Sequence, residues 1–253
     1  MREFARRVVR RLGRLLLGDP FWRLHAAIAR DYLRGRGIEV GALHNPVPVP
    51  RGVRVSYVDR MSKTDLLTHY PDLPARRLVE VDIIDDGERL TTVADASQDF
   101  VIVNHFLEHT QDPIGALGTF FRVLRPGGVL YLSLPDKRYT FDASRPVTPL
   151  AHLWADHEHG PARSRRAHYE EFVAAAEGLT DPAAVRDRAD HYLRHDYSIH
   201  FHVWTQAEMV GLLLAVRDRY GFDFELVRKH GHEVIFVLRK HGAEEMGRSR
   251  IAA

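Results

Sequence analysis

The sequence predicts an α/β fold with a mostly parallel sheet, and two patterns carry that prediction. Residues 99–136, DFVIVNHFLEHTQDPIGALGTFFRVLRPGGVLYLSLPD, hold two apolar runs, 100–103 and 129–134, each too short for a helix of its own. Between them Asp112 and Pro113 supply an N-cap and a first helical position. Ile114, Leu117, Phe120, Phe121 and Leu124 recur at helical spacing, and Arg125-Pro126-Gly127-Gly128 ends the run. A crossover of this length joins parallel strands and sets a ligand crevice beyond their carboxyl ends, where Asn104, His105 and Asp136 fall. The second pattern is C-terminal: runs 222–228 and 233–238, separated by Lys229-His230-Gly231-His232, read as an antiparallel hairpin on the sheet's far edge.

A chain of 253 residues, 45% hydrophobic and 28% charged, suits one α/β domain with a sizeable insertion. Zero cysteines exclude disulfides, thiolate metal sites and a cysteine nucleophile. No apolar run approaches the ~20 residues that cross a bilayer, and arginines interrupt the N-terminus too often for a signal-peptide core, so the expected compartment is the cytoplasm. Net charge is +2, but residues 1–36 carry ten Arg against Glu3, Asp19 and Asp31, a local +7; the other 26 basic residues face 31 acidic ones, −5. The expected organisation is basic amphipathic helices over 1–35, a domain over 36–240 with an insertion at 137–204, and a tail from 241 to 253.

Taken in order, residues 1–17 place Phe4, Val8, Leu12, Leu15 and Leu16 on one helical face with Arg6, Arg7, Arg10, Arg11 and Arg14 around the rest. Such a helix anchors peripherally on anionic lipid at the inner membrane face, or packs its apolar side on this domain or a sister subunit. Nucleic acid is not expected as a partner, because no stacking aromatics interleave with the arginines. Asp19-Pro20 restarts a helix with Phe21, Leu24, Ile28 and Tyr32 inward, ending at Gly35 and Gly37. Residues 38–41 form a first strand and its glycine turn. Asn45-Pro46-Val47-Pro48-Val49-Pro50 cannot be helical and runs extended. A second strand covers 53–58 and ends in Asp59-Arg60; Ser62 and Asp65 cap a helix reaching Tyr70; a third strand covers 78–84 before the turn Asp85-Asp86-Gly87. In the insertion, helical patches fall at 150–157, 167–176 and 183–193. Thr205 and Glu208 form a capping box for a helix with Met209, Leu212, Leu213 and Val216 inward.

Asp99 opening a strand, Phe106-Leu107-Glu108-His109, and Arg122-Val123-Leu124-Arg125-Pro126-Gly127-Gly128 before the next strand resemble the later motifs of class I S-adenosylmethionine-dependent methyltransferases, of the small-molecule, single-domain branch. The resemblance covers about residues 37–135, with a looser echo near the C-terminus. It implies a Rossmann-like fold and S-adenosylmethionine as cofactor. By that likeness Glu39 and Gly41 stand in the first motif, although Ala42, Leu43 and His44 replace further glycines. Asp59 takes the position that binds ribose, and a carboxylate there can accept from both hydroxyls. Asp85 and Asp86 fall where the adenine edge is contacted, and Asn104 follows the fourth strand. With no helix after Gly41, the methionine carboxylate loses a helix N-terminus, and Arg60 or His44 is expected to compensate.

The expected reaction is methyl transfer to a small hydroxylated acceptor, a sugar or glycan. A hydroxyl nucleophile needs a proton acceptor, for which His105, Asp136, His200 and His202 are candidates. His202, in the segment His200-Phe201-His202-Val203-Trp204, is favoured, with His105 second. The insertion holds many of the 16 histidines. His157-Glu158-His159 and His200-Phe201-His202 have strand-ligand spacing, but no third-ligand spacing accompanies them and no metal is expected. A nicotinamide dehydrogenase is disfavoured without GxGxxG, and phosphate transfer without a P-loop. A non-catalytic scaffold docking to a membrane or protein stays open, given the crowded loop after Gly41.

Overall fold

The computed structural model describes residues 20–71 and 75–242, and runs 100–103 and 129–134 lie at the centre of a seven-stranded sheet. Its strands are β1 (Arg36–Val40), β2 (Arg54–Asp59), β3 (Ile83–Ile84), β4 (Gln98–Asn104), β5 (Leu124–Pro135), β6 (Phe222–His230) and β7 (Glu233–Lys240), in the order β3-β2-β1-β4-β5-β7-β6. The first five are parallel, and β7 runs antiparallel to both β5 and β6. The chain moves outward from β1 to β3 and then returns to β4, so the order reverses between β1 and β4. In open α/β sheets that reversal opens a crevice at the strands' carboxyl ends.

Strand period two sorts the central residues onto two faces. Val101, Val103, Leu130 and Leu132 join one core with Ile114, Leu117 and Phe120 of α3 (Pro113–Val123) and Met209, Leu212 and Leu213 of α7 (Gln206–Tyr220). Phe100, Ile102, Val129 and Tyr131 face the other way, onto Ile28, Ala29 and Leu33 at α1 (Pro20–Tyr32). Val47 joins this second core, so the proline-rich segment covers sheet where a helix would otherwise lie. Two of the caps read from sequence lie here: Asp112 accepts from the Gly115 N–H at 2.8 Å, and Thr205 with Glu208 forms the reciprocal capping box.

The third strand is shorter than expected, covering Ile83–Ile84 rather than 78–84. The carboxylate of Asp82 takes the Tyr57 N–H at 2.8 Å, and the Val79 N–H crosses to the Leu43 carbonyl at 2.9 Å. Main-chain donors are thereby drawn out of the ladder. Helix α2 (Lys63–His69) is capped by Ser62.

The insertion carries α4 (Leu150–His159), α5 (Arg165–Ala175) and α6 (Pro182–Arg194), with its own core of Tyr169, Val173, Ala189, Tyr192, Ile199 and Phe201. It is tied to the body by main-chain bonds from the Phe201 and His202 N–H groups to the Glu108 carbonyl, while bonds from Lys137 to Trp204 and Thr148 to Val203 hold its two ends together. The arginine-rich stretch 1–17 and most of the tail, 243–253, lie outside the described residues. Among the described residues no helix is long and apolar enough to cross a membrane.

Candidate functional site

A cleft of about 610 Å³ opens where the strand order reverses, a volume in the range of small-molecule sites. Its walls come from the ends of β1 and β2 (Val40, Gly41, Val58, Asp59), the turn Asp86-Gly87-Glu88, the loop after β4 (His105, Phe106, His109) and the insertion (Tyr197, Ser198, Phe201). Gly41 has φ +67°, and a Cβ there would sit 2.9 Å from the Phe106 ring; one on Gly87 would sit 2.5 Å from it. Both glycines are needed to seat Phe106 against the strand ends.

The residues expected to bind cofactor divide. Asp59 and Asp86 line the cleft. Burial lifts the Asp59 carboxyl above its ordinary range, against the pull of the Arg60 and Met61 N–H groups. Arg60 also lines it, but its guanidinium is engaged by Asp196 (3.0 Å), the Tyr70 hydroxyl (3.0 Å) and His69 (3.3 Å). It straps β2 to the insertion from its place in the cleft wall. Asp85 is turned inward: the Thr92 N–H and hydroxyl, the Thr91 hydroxyl and the Asp86 N–H all bond its carboxylate. Burial would raise it, but those bonds outweigh burial and hold it low. That leaves Asp86 and Glu88 as the acidic residues of the turn in the cleft wall, and the Glu88 carboxylate is taken by the Gln111 and Asp112 N–H groups.

Glu39 stands apart from these residues. It is 1% exposed and outside the cleft wall, and its carboxylate accepts from the Val47 N–H at 2.9 Å, fastening the proline-rich segment to β1. Burial pushes its carboxyl up to about 8, opposed by that bond. His44 bonds Asn45 through Nε2 at 3.1 Å, and burial followed by the Arg77 charge pushes it down. Asn104 ends β4 with a buried Oδ1 that has no hydrogen-bond partner among the described residues.

His202 does not face the cleft. It is fully buried, stacked on Trp204 with centroids 5.8 Å apart, its Nε2 3.4 Å from the Gln111 carbonyl. Burial and then the neighbouring His168 push it well below 6.5. Asp136 is likewise buried and held by Arg138, and His200 bonds Asp142 at 2.7 Å. His105 remains in the cleft wall with φ +51°, its side chain 29% exposed.

His105 Nε2 lies 2.7 Å from Glu233, which also accepts from the Ser133 hydroxyl (2.6 Å) and pairs with His25 Nε2 (2.6 Å). His25 Nδ1 in turn meets the Tyr131 hydroxyl at 2.8 Å. Burial works to raise Glu233, but the bonds from His105 and His25 outweigh it and carry the carboxyl down to about 2. Burial likewise disfavours charge on His105, yet the bond to Glu233 and the Glu108 carboxyl, 3.6 Å from Nδ1, raise it above 6.5. His109 meets the Ser198 hydroxyl at 3.0 Å and is driven by burial, then by His200, to about 3, a neutral imidazole. Sequence reasoning missed Glu233, Ser133 and His25. They stand 128, 28 and 80 positions from His105 and carry no local signal. The signal that existed was a charged residue opening the apolar strand β7.

Residues 27–214, well over half of the chain, match the family model described as a methyltransferase domain. No curated protein matches the sequence. Among solved structures, the chain is similar to one from Rhodobacter sphaeroides labelled a zinc-dependent alcohol dehydrogenase, at 16% identity and TM-score 0.53, covering 89% of this chain and 92% of that one. It is also similar to one from Thermotoga maritima labelled a possible histamine N-methyltransferase, at 18% identity and TM-score 0.48, covering 92% and 96%. A third is the CurJ carbon methyltransferase, at 15% identity and TM-score 0.43, covering 83% of this chain. This chain spans about half, 49%, of that one.

Proposed function

The chain belongs to the methyltransferase-domain family, and from that premise we propose that its acceptor is a small hydroxylated molecule, a sugar or glycan, with His105 as the proton acceptor. The chain is an S-adenosylmethionine-dependent methyltransferase. The donor set of the cleft fits that cofactor. Asp59 offers two acceptor oxygens suited to vicinal ribose hydroxyls, Gly41 offers bare backbone, and Val40, Leu43, Val58 and Leu66 offer apolar walls. Asp59, Gly41 and Asp86 would hold it. When bound, the cofactor supplies an electrophilic methyl group.

The observation that carries the acceptor reading is the pairing of His105 with Glu233 in the cleft wall. With Nε2–H donated to the ionised Glu233, Nδ1 holds the lone pair and can take a proton from a hydroxyl. The imidazolium then formed lies between Glu233 and Glu108, which favour its charge. An already anionic nucleophile would have no use for this pair. The walls add aromatic faces at Tyr70, Tyr197 and Phe201 beside Ser198 and Gln111, a mixture suited to a hydroxylated ring. Those insertion residues also exclude water from the reacting atoms.

The test is release of demethylated cofactor with a panel of sugars and glycans against amines and thiols. Sugars or glycans should be turned over, and His105→Asn should lower turnover by roughly 10² or more while leaving calorimetric cofactor affinity intact. Wild-type kcat/KM should rise with pH through a value above 6.5, as the imidazole loses its proton. Turnover confined to amines or thiols, or undiminished in His105→Asn, refutes the reading.

A further inference from the structure

Away from the cleft wall, the insertion gathers three histidines and one aspartate about a single point. His152 and Asp156 stand one turn apart on α4, His168 lies on α5, and His202 lies in the segment returning to the sheet. One ligand atom from each lies within 4.8 Å of all the others. His152 Nε2 is 3.0 Å from His168 Nε2 and 3.0 Å from Asp156 Oδ2, and His168 Nε2 is 3.8 Å from the same oxygen. Ligands held ~2.0–2.1 Å from a tetrahedral ion stand about 3.3 Å from one another. The separations among His152, Asp156 and His168 bracket that value, and the His202 ligand atom lies within 4.8 Å of each.

Hydrogen bonding does not account for the cluster. The two facing ring nitrogens of His152 and His168 can share one proton. Asp156 Oδ2 and His202 Nδ1 nevertheless lack a hydrogen-bond partner, in residues 4% and 0% exposed. Their other atoms are used. Ser164 donates to Asp156 Oδ1 at 2.6 Å, and His202 Nε2 lies 3.4 Å from the Gln111 carbonyl. This is the outer support that metal ligands carry, a bond at the second atom that fixes the tautomer and turns the first toward the ion.

We propose that His152, Asp156, His168 and His202 bind one Zn²⁺ as a closed, four-coordinate structural site. Three imidazoles and a carboxylate suit zinc, and four protein ligands leave no open position for a reaction. The His152 side chain is 34% exposed, which gives the ion a way in. Bound there, zinc clips α4 and α5 to the segment after Ile199. That segment includes Phe201 of the cleft wall, and His202 reaches Gln111, another wall residue. The ion therefore stiffens one side of the cleft without touching the reacting atoms. The ligand spacing, 152, 156, 168 and 202, matches no short motif. Of the paired histidines singled out in the sequence, His157 goes to Asp112 and His200 to Asp142.

The experiment uses the full chain, purified without a histidine tag, stripped of metal and titrated with Zn²⁺ against a chromophoric chelator. Co²⁺ serves as a spectroscopic probe of tetrahedral geometry. One zinc per chain is expected, with a dissociation constant on the order of micromolar or tighter, and a rise in Tm on binding. His152→Gln at the exposed edge and Asp156→Asn should each weaken zinc by roughly a hundredfold and remove the Tm response. Replacing the exposed His191 and His195, whose rings lie 4.3 Å apart on and beside α6, should leave zinc binding unchanged. The proposal is overturned if the folded wild type takes up no zinc. It is also overturned if loss of His191 and His195 abolishes uptake while His152→Gln preserves it. Because the readout is metal content and Tm, the result stands apart from any finding about the acceptor.

Discussion

Glu39→Gln separates two roles for the acidic residue beside the first glycine. The side chain is 1% exposed, and its carboxylate accepts the Val47 N–H at 2.9 and 3.3 Å. Burial raises its pKa from 4.5 to about 8. Between those values the unfolded chain has released this proton and the folded chain still holds it, so stability falls as pH rises. At ~1.4 kcal/mol per pH unit the loss reaches at most about 5 kcal/mol by pH 8. A glutamine keeps an oxygen for Val47 and carries no charge, so the variant lacks this slope. Urea unfolding of both proteins at several pH values gives the difference directly. The stability of Glu39→Gln relative to wild type should grow by several kcal/mol between pH 5 and pH 8, with cofactor affinity unchanged. A difference flat across that window, or a variant that binds cofactor tenfold more weakly, would refute the reasoning and return Glu39 to the binding site.

Other variants test other links of the argument. Asp59→Ala should weaken S-adenosylmethionine tenfold or more by calorimetry, from the loss of ~1.5–3 kcal/mol of charge-assisted hydrogen bonds; equal affinity rejects the ribose assignment. Asp142→Ala strips partners from Arg145 and His200, with Arg145 and Asp142 both essentially unexposed. Urea unfolding should report a loss of about 1.5–3 kcal/mol, because the buried guanidinium loses one of its two carboxylates and keeps Glu171 at 2.9 Å, and a loss below about 1 kcal/mol counts against that. Thr205→Ala opens the capping box of α7 and should cost about 1 kcal/mol by the same measurement; no change would mean the cap is not limiting.

Local chemistry determined much of the fold. Residues 100–103 and 129–134 are strands because each is a short apolar run flanked by turn or cap residues. Asp112-Pro113 and Thr205 with Glu208 start helices because they satisfy amides that a helix leaves free. The prolines at 46, 48 and 50 excluded a helix for an equally local reason. The family likeness rested on the same segment, which fixed the strand ends and the cleft's general position.

The site's inner organisation was decided by tertiary structure. Asp59 ends a parallel strand and Asp85 directly follows one, yet the first lines the cleft and the second is filled by Thr91 and Thr92, residues a turn further on. By sequence His202 stood ahead of His105 as the candidate base. Only the fold sets the first against Glu233, 128 positions away, and buries the second beside His168. A side chain's chemistry can be read from its identity. Its protonation, its partners and whether it meets solvent depend on which distant segments surround it, and periodicity along the chain carries no information about those.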